Sequence, residues 1–583
     1  MAKVKKVIKN NIKFQNVDNA AKEEKIEEKK YDGSDRLIWN LLIVLISVTP
    51  LLFHIYLNRL ISPKIAVPVY YYTNFTTDSF SSYKFIFILV MTGLIFILFL
   101  YDLLFNRKNI KINVQNISLY CLMCFSLLSV LLSKYKYFSI FGLPERREGL
   151  LTFFACLLIT FITANIKIKG NKFYYLIYAL IPITVVNLVF GILYISGVKV
   201  LNDPAFVRFL IGSGQYAGGQ MQIASTSYFV GTLSHGNYIS GMASILYTVF
   251  LVYSLWGKNK FAKAISFIMS IFAAMMVFTS LSMSGMVTII FSLILIAGVI
   301  LYGKQRLKNI EILSLNLLTL IISFILLNKI NPDVSKQLID EPIAYLLVVG
   351  LAIVAIAVFA AIKYPDVIFK KYKIYTVLVV VLFIVSTGLL SGRIEQRFTY
   401  EVDRINTAKI ISQLQEDELN LPQPGISMGT GRFYIWKQTI QLILQKPIIG
   451  YGFDTLAFEY PQYDPAKIPA LIDGKTIVDK PHNMFLEIAY SMGIPALLIL
   501  IVVIVSYIVK FFKRFSADFS DENVMDLSIF LGFMAFLLQA MFNDANIGYQ
   551  LFFWIFLGIG LSRLSETKIF TLKNNQSELK MIE

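Results

Sequence analysis

The chain has 583 residues, of which 56% are hydrophobic and 16% charged, with a mean hydropathy of +0.64. That balance excludes an ordinary soluble domain and points to an integral membrane protein. A formal net charge of +17 would suggest nucleic acid in a soluble protein, but here the Lys and Arg residues gather in short loops between apolar runs, so they read as a topology signal and no nucleic-acid partner is expected.

Residues 1–36 are rich in Lys and Glu and lack the apolar core of a secretory signal, so a solvated, disordered tail retained in the cytoplasm is expected. Apolar runs then recur, continuous rather than alternating, which excludes a barrel and requires helices. The runs predict membrane helices near 37–57, 84–105, 116–133, 149–166, 173–197, 231–256, 264–281, 284–302, 310–327, 343–362, 374–391, 484–509, 526–543 and 549–564. The expected class is thus an all-α integral membrane protein, a polytopic bundle of about 14 transmembrane helices. Its parts are N-terminal helices over 37–391, one large loop over 392–483, C-terminal helices over 484–564 and a second cytoplasmic tail over 565–583.

With the first tail inside, alternate loops carrying Lys108, Lys167, Lys260, Arg306, Lys370 and Arg514 all fall on the cytoplasmic side, as the positive-inside rule demands. Both termini are then cytoplasmic, and the loops 58–83, 134–148, 198–230, 328–342 and 392–483 extracytoplasmic. No internal repeat is visible, which weakens a transporter built of inverted halves. Cys121, Cys124 and Cys156 lie in apolar stretches, where cysteine acts as a small hydrophobe, so neither a disulfide framework nor a metal site is implied.

Polar chemistry concentrates between Gly429 and Pro495. Arg432 and Trp436 are spaced to share one face of a short amphipathic helix, which could be an interfacial anchor or a bidentate grip on phosphate. KPIIGYG follows, with Gly450 and Gly452 allowing close backbone approach, and the loop closes with DKPHN. There His482 has Asp479 and Lys480 as charged neighbours, Pro481 stiffens the approach, and Asn483 can cap the next helix. Upstream, Arg146 and Arg147 form either a salt-bridged cluster with Glu145 and Glu148 or a second anion-binding group. In GTLSHGNYISG, His235 and Asn237 among glycines fit close helix packing or substrate contact, while Ser282, Ser284 and Gly285 mark a kink or a polar lining.

Arg432 to Trp436, KPIIGYG and DKPHN running into MGIP, in that order, resemble the O-antigen ligase and polymerase superfamily of bacterial membrane glycosyltransferases. PERREGLLTFF, GTLSHGNYISG and FNDANIGYQLFFWIFLGIG are similar to segments of its Gram-positive members, so the resemblance runs from about Leu143 to Gly560. It implies a GT-C-like bundle with a large external loop in the bacterial cytoplasmic membrane, no cofactor and no metal. A glycan would pass from undecaprenyl pyrophosphate to a hydroxyl of a glycan, lipid or protein acceptor. His482 matches the family's loop histidine and Arg432 its loop arginine, and the segment SLSMSGMV lacks the arginine that family ligases carry in a middle helix. The same resemblance leaves polymerase and ligase open. Two readings of another kind are a lipid-linked polysaccharide flippase and a non-catalytic scaffold for envelope assembly.

Overall fold

Hydrocarbon offers a peptide group no hydrogen-bond partner, and the apolar runs among the described residues close their backbone bonds within helices. The computed structural model describes residues 34–334 and 431–564, apart from 55, 59–75, 107, 109, 111–112, 169–172, 212–228, 303–305, 472–476, 517–518 and 545. In chain order the helices are α1 (Ser34–Leu51), α2 (Ser82–Phe105), α3 (Val114–Leu131), the short α4 (Lys136–Phe141), α5 (Leu150–Ala164) and α6 (Tyr174–Ile195). There follow α7 (Gly236–Trp256), α8 (Lys260–Thr279), α9 (Met283–Tyr302), α10 (Arg306–Ile330) and α11 (Arg432–Gln445). The last are α12 (Met484–Met492), α13 (Ile494–Arg514), α14 (Asp521–Ala540) and α15 (Gln550–Leu564). Two three-residue strands, Tyr56–Asn58 and Thr76–Asp78, pair antiparallel beside the start of α2.

Among the described residues ten helices are long and apolar enough to cross a membrane, and α5 and α15 are shorter apolar helices. The expected spans 343–362 and 374–391 lie outside the described residues, so the figure of about 14 is not reached among the described ones. At 15 residues each, α5 and α15 rise only roughly 22 Å, short of the roughly 30 Å hydrocarbon thickness. The polar turns that precede them, 142–149 and 543–549, are largely buried in protein. The expected helix 484–509 is broken. Gly493 adopts φ +88° between α12 and α13, and Pro495 starts α13, moving the span toward Arg514.

Helix α7 is the axis of the bundle, for every residue from Ile239 to Trp256 is buried and it packs on α8, α9 and α14. Lipid tails are as apolar as leucine, so the helices are held together by packing and by buried polar pairs. Tyr247 Oη donates to Asn316 Oδ1 at 3.0 Å, Asn316 Nδ2 donates to Ser270 Oγ at 2.8 Å, and Thr248 Oγ1 donates to Ser292 Oγ at 2.7 Å. Helices α5 and α15 form a second packed group with α2 and α3, joined to the axis through α14.

Long-range contacts fix which loops share an end. Lys108 and the backbone N–H of Lys167 both reach Asp35, while Arg514 and Ile168 both meet Arg563. At the opposite end Lys84 donates to the carbonyls of Leu52 and Thr232. The same end holds Arg146 against Asp454 and Asp479. The loops of Lys108, Lys167 and Arg514 thus share an end, as the alternation of basic loops requires of these three.

Residues 431–471 and 477–492 dock on that second end. Tyr451 and Gly452 donate backbone N–H groups to the carbonyls of Tyr490 and Ser491 at 2.9 and 3.0 Å, and Ser133 Oγ donates to Tyr451 O at 2.8 Å. Gly452 has φ +99°, and a Cβ added there would come closer than 3.0 Å to the hydroxyls of Ser133 and Ser139. Gly452→Ala should therefore destabilise the protein by about 1–3 kcal/mol, measured as a lower thermal midpoint in detergent. Gly298→Ala, where a Cβ has no neighbour within 4 Å, should leave that midpoint unchanged or raised.

Candidate active site

The site begins with a buried clamp. Arg146 Nη1 donates to Asp479 Oδ2 at 2.7 Å, and Nη2 donates to Asp454 Oδ1 and, at 3.3 Å, to the carbonyl of Asp479. Asp454 Oδ2 accepts the N–H of Leu143 at 2.6 Å, so one carboxylate ties the turn before α5 to the chain after KPIIGYG. Burial works against the Arg146 cation, but Asp454 and Asp479 outweigh it and raise its pKa above the usual arginine value. Lys480 reaches across to Glu148, whose other oxygen accepts the N–H of Ile547 at 3.0 Å. The two charges that precede the histidine are thus bound to the turn before α5.

His482 finds its carboxylate elsewhere. Its Nδ1 lies 2.8 Å from Oδ2 of Asp544, in the turn between α14 and α15. Tyr238 Oη donates to the same oxygen at 3.2 Å, and Tyr549 Oη donates to the Asp544 carbonyl at 2.9 Å. Burial alone would raise the Asp544 pKa, but His482, Lys480 and Arg146 hold it well below the usual carboxylate range. An ionised Asp544 accepts a proton-bearing Nδ1, and in the neutral ring that tautomer leaves the lone pair on Nε2. The imidazole side chain is 39% exposed while that of Asp544 is fully buried, so His482 is the accessible member of the pair.

Arg432 is the first residue of α11, and Trp436 one turn on donates Nε1–H to the carbonyl of Pro481 at 2.7 Å. This bond and the capping of α12 by Asn483, which accepts from Phe485 N at 3.0 Å and Leu486 N at 3.1 Å, fix the backbone on both sides of His482. Asn483 also donates Nδ2 to the carbonyl of Met541 at 2.9 Å, bringing the Asp544 turn alongside. Arg432 Nη2 donates to Asn543 Oδ1 at 3.4 Å, and among the described residues no carboxylate lies within ion-pair distance of it. Burial lowers its pKa, with Asp544 and Tyr238 opposing.

Behind Arg432 runs a polar chain. Asn543 Nδ2 donates to Gln539 Oε1 at 2.6 Å, and Gln539 Nε2 donates to Thr288 Oγ1 at 2.6 Å and to the Ser284 carbonyl at 2.8 Å. Asn237 Oδ1 accepts from Ser282 Oγ at 2.7 Å, and its N–H donates to Nδ1 of His235 at 3.1 Å. His235 therefore caps α7. Its pKa falls to about 4, chiefly through burial, with His482 and Arg432 also lowering it and Asp544 opposing. The chain breaks at Leu281, φ +55°, so the serines join the α8–α9 turn to α7 and α14.

Arg147, at φ +57°, turns away from Arg146: its Nε donates to Ser82 Oγ at 3.2 Å and its guanidinium sits 5.9 Å from the ring centres of Tyr56 and Phe85. Of the two expected carboxylate neighbours, Glu148 receives Lys480, while Arg146 takes Asp454 and Asp479. Arg147, Ser234, Asp454 and His482 are four of the five non-glycine residues with positive φ among the described residues. Such conformations persist only where surrounding contacts over-determine them, and they gather at functional sites.

The structure thus brings together His482, Arg432, Trp436, Asn483, His235 and Asn237, and binds Arg146 into the clamp. Asp544, Asn543 and Asp454 were not singled out by sequence reasoning. The available signal was FNDANIG, a polar interruption between two apolar helices, whose aspartate had no visible reason to meet a histidine 62 residues earlier.

These features define a multi-pass helical membrane protein with a buried charged site at one end, its histidine paired to a carboxylate and its arginine, among the described residues, left without one. Residues 342–501 match the family model described as O-antigen ligase. That match bears out the resemblance to the O-antigen ligase and polymerase superfamily. It covers Arg432, KPIIGYG and DKPHN, whereas Arg146, His235 and Asp544 lie outside it. No curated protein matches the chain.

Removing one side of the clamp leaves Arg146 partly uncompensated in a buried place. Asp454→Ala should cost about 3–5 kcal/mol, seen as a fall in the detergent thermal midpoint larger than that of Asp464→Ala, whose carboxylate is only partly buried.

Proposed function

We propose that the protein is a membrane glycosyltransferase of the O-antigen ligase and polymerase type. It would act at the outer face of the cytoplasmic membrane on a glycan carried by undecaprenyl pyrophosphate. The observation that carries this reading is the pairing of His482 with ionised Asp544 beside Arg432, which has no carboxylate partner among the described residues. In the reaction the acceptor hydroxyl attacks the anomeric carbon and its proton passes to Nε2 of His482. The bond from that carbon to the diphosphate breaks, and Arg432 takes up the negative charge that develops on the departing lipid diphosphate. Asp544 stabilises the imidazolium as it forms and keeps the ring in the required tautomer.

A guanidinium suits this role because it can hold two oxygens of a diphosphate at once. For a second cation, Arg147 is better supported than Arg146, whose charge already faces two aspartates. His235 has a depressed pKa and its Nδ1 is taken by a backbone N–H, so it fits acceptor binding or helix capping rather than proton abstraction. Fixed protein cations make a divalent ion unnecessary in this scheme. The alternation of basic loops in the sequence, with both termini cytoplasmic, supports an outer position for the site. Transport is the less supported reading: among the described residues the polar groups midway along the helices, such as Asn316 and Ser270, are bonded to one another rather than lining a path.

His482→Ala should leave folded protein and lower product formation by about 10²–10⁴-fold, measured with purified protein and lipid-pyrophosphate-linked oligosaccharide. Longer glycans would identify a polymerase, and transfer to an added acceptor a ligase. Unchanged product would end the assignment of His482 as base. Arg432→Lys should weaken apparent affinity for the lipid diphosphate more than it alters folding, and an unaltered affinity would argue against a bidentate grip.

A further inference from the structure

Helix α11 has three sides, and one of them is unlike the surface of a soluble domain. Ile435, Thr439, Leu442 and Ile443 are buried against the protein, and Tyr434 and Gln438 donate to Asp464 Oδ2 on the polar side. Along the remaining side Phe433, Ile440 and Leu444 fall within about 40° of one another around the helix, and all three are exposed, Leu444 by 66%. Ile448, just past the helix, is 65% exposed. A run of large apolar side chains left open in this way marks an interaction surface.

The ends of α11 set its depth. At one end the N–H of Ile494, the first residue of α13, donates to the Pro447 carbonyl at 2.7 Å, and a Cβ on Gly493 would collide with the Ile448 carbonyl. Toward the other end the Trp436 ring centre lies 5.2 Å from that of Phe433 and 6.4 Å from that of Phe542, just past the end of α14. Spans α13 and α14 are consecutive, so the start of the first and the end of the second lie on the same side of the membrane. Over its 14 residues α11 rises roughly 21 Å and joins these two points. Its axis therefore runs along the membrane plane, at the level where the spans stop.

The open strip is continuous with the lipid-facing surface of those spans: Leu498, Val502 and Val505 are exposed on α13, and Met541 and Phe542 beyond α14. Lys437 is exposed within the strip. A protein partner would have to bury that ammonium, and lysine is depleted from interface cores. At a membrane surface its stem lies along the apolar side chains while its charge reaches lipid phosphate.

We propose that α11 is an in-plane membrane helix, seated at headgroup level in the leaflet on the active-site side, with Phe433, Ile440, Leu444 and Ile448 among the upper acyl chains. This sets Arg432, its first residue, at the depth of lipid phosphate groups. Through the bond of Trp436 to the Pro481 carbonyl it also ties the height of His482 to the bilayer surface. The placement rests on no assumption about the reaction catalysed.

The test uses the full-length protein in phosphatidylcholine nanodiscs that carry a lipid with a photoactivatable diazirine on its acyl chain, either next to the glycerol or at the chain end. Adducts are located by mass spectrometry. The shallow probe should label Phe433, Ile440 and Leu444 as strongly as Leu498, in the first turns of α13, and well above the fully exposed Tyr463. The deep probe should label Val505, midway along α13, and leave α11 at the level of Tyr463. Shallow labelling of α11 no higher than that of Tyr463 would overturn the proposal, whether water, a second copy or another part of this chain covers the strip. Deep labelling of α11 equal to that of Val505 would overturn the in-plane depth.

Discussion

A guanidinium is costly to remove from water, and Arg146 offsets that cost against two carboxylates supplied from far along the chain. This constraint decides where the long polar segment sits. Asp454 anchors the stretch after KPIIGYG and Asp479 the stretch before His482, so the loop between them is held at both ends on the same turn. Removing both charges from water is costly, and the gain is one of geometry: a bidentate cation with two fixed partners allows few alternative dockings. Lys480 and Glu148 repeat the device one residue further on in the loop. Because these ties engage the charges that neighbour it in sequence, His482 is left to meet the carboxylate across from it, which belongs to Asp544.

The electrostatics of the pair follow from that placement. Asp544 is fully buried and would ordinarily be neutral, but three basic groups, His482, Lys480 and Arg146, pull its pKa down. An acid kept ionised in a low-dielectric place orients an imidazole strongly, since the interaction is little screened. His235 lies in the field of the same groups yet has the opposite setting, buried with a backbone N–H on Nδ1. Two histidines at one end of one bundle are thus given different chemistry by their partners alone.

Much of this was legible in the sequence, and what was missed has a physical reason. The helices were readable because hydrocarbon permits no other backbone state, and the basic loops reported their common end because charge is sorted across a membrane. Arg432, Trp436 and Asn483 were readable because helix spacing and capping are local. Asp479 and Lys480 were expected beside the imidazole on grounds of sequence adjacency, yet the irregular backbone at 477–481 sends them to Arg146 and Glu148. The break at Gly493 was concealed by the apolar residues around it. Asp544 was concealed for a different reason: nothing local distinguishes a site carboxylate from a turn residue, and its role exists only through a contact between helices.

The chain of amides behind Arg432 shows why the site sits where the helices end. Asn543 and Gln539 extend from the end of α14 toward Ser284 and Thr288 on α9, each amide donating to the next acceptor. An arginine holding a carboxylate would be neutralised before any ligand arrived, whereas one supported by a neutral amide keeps its full charge while its direction is set. A neutral chain can do this only where its donors and acceptors are all matched, because an unmatched amide in a helix interior costs as much as the bond it lacks. Glycine at position 241 gives room for that chain, since a Cβ there would come within 3.3 Å of Gln539 Oε1. The bundle therefore treats two arginines at one end in opposite ways: carboxylates fix Arg146 as a strut, and an amide directs Arg432, which among the described residues has no carboxylate at ion-pair distance.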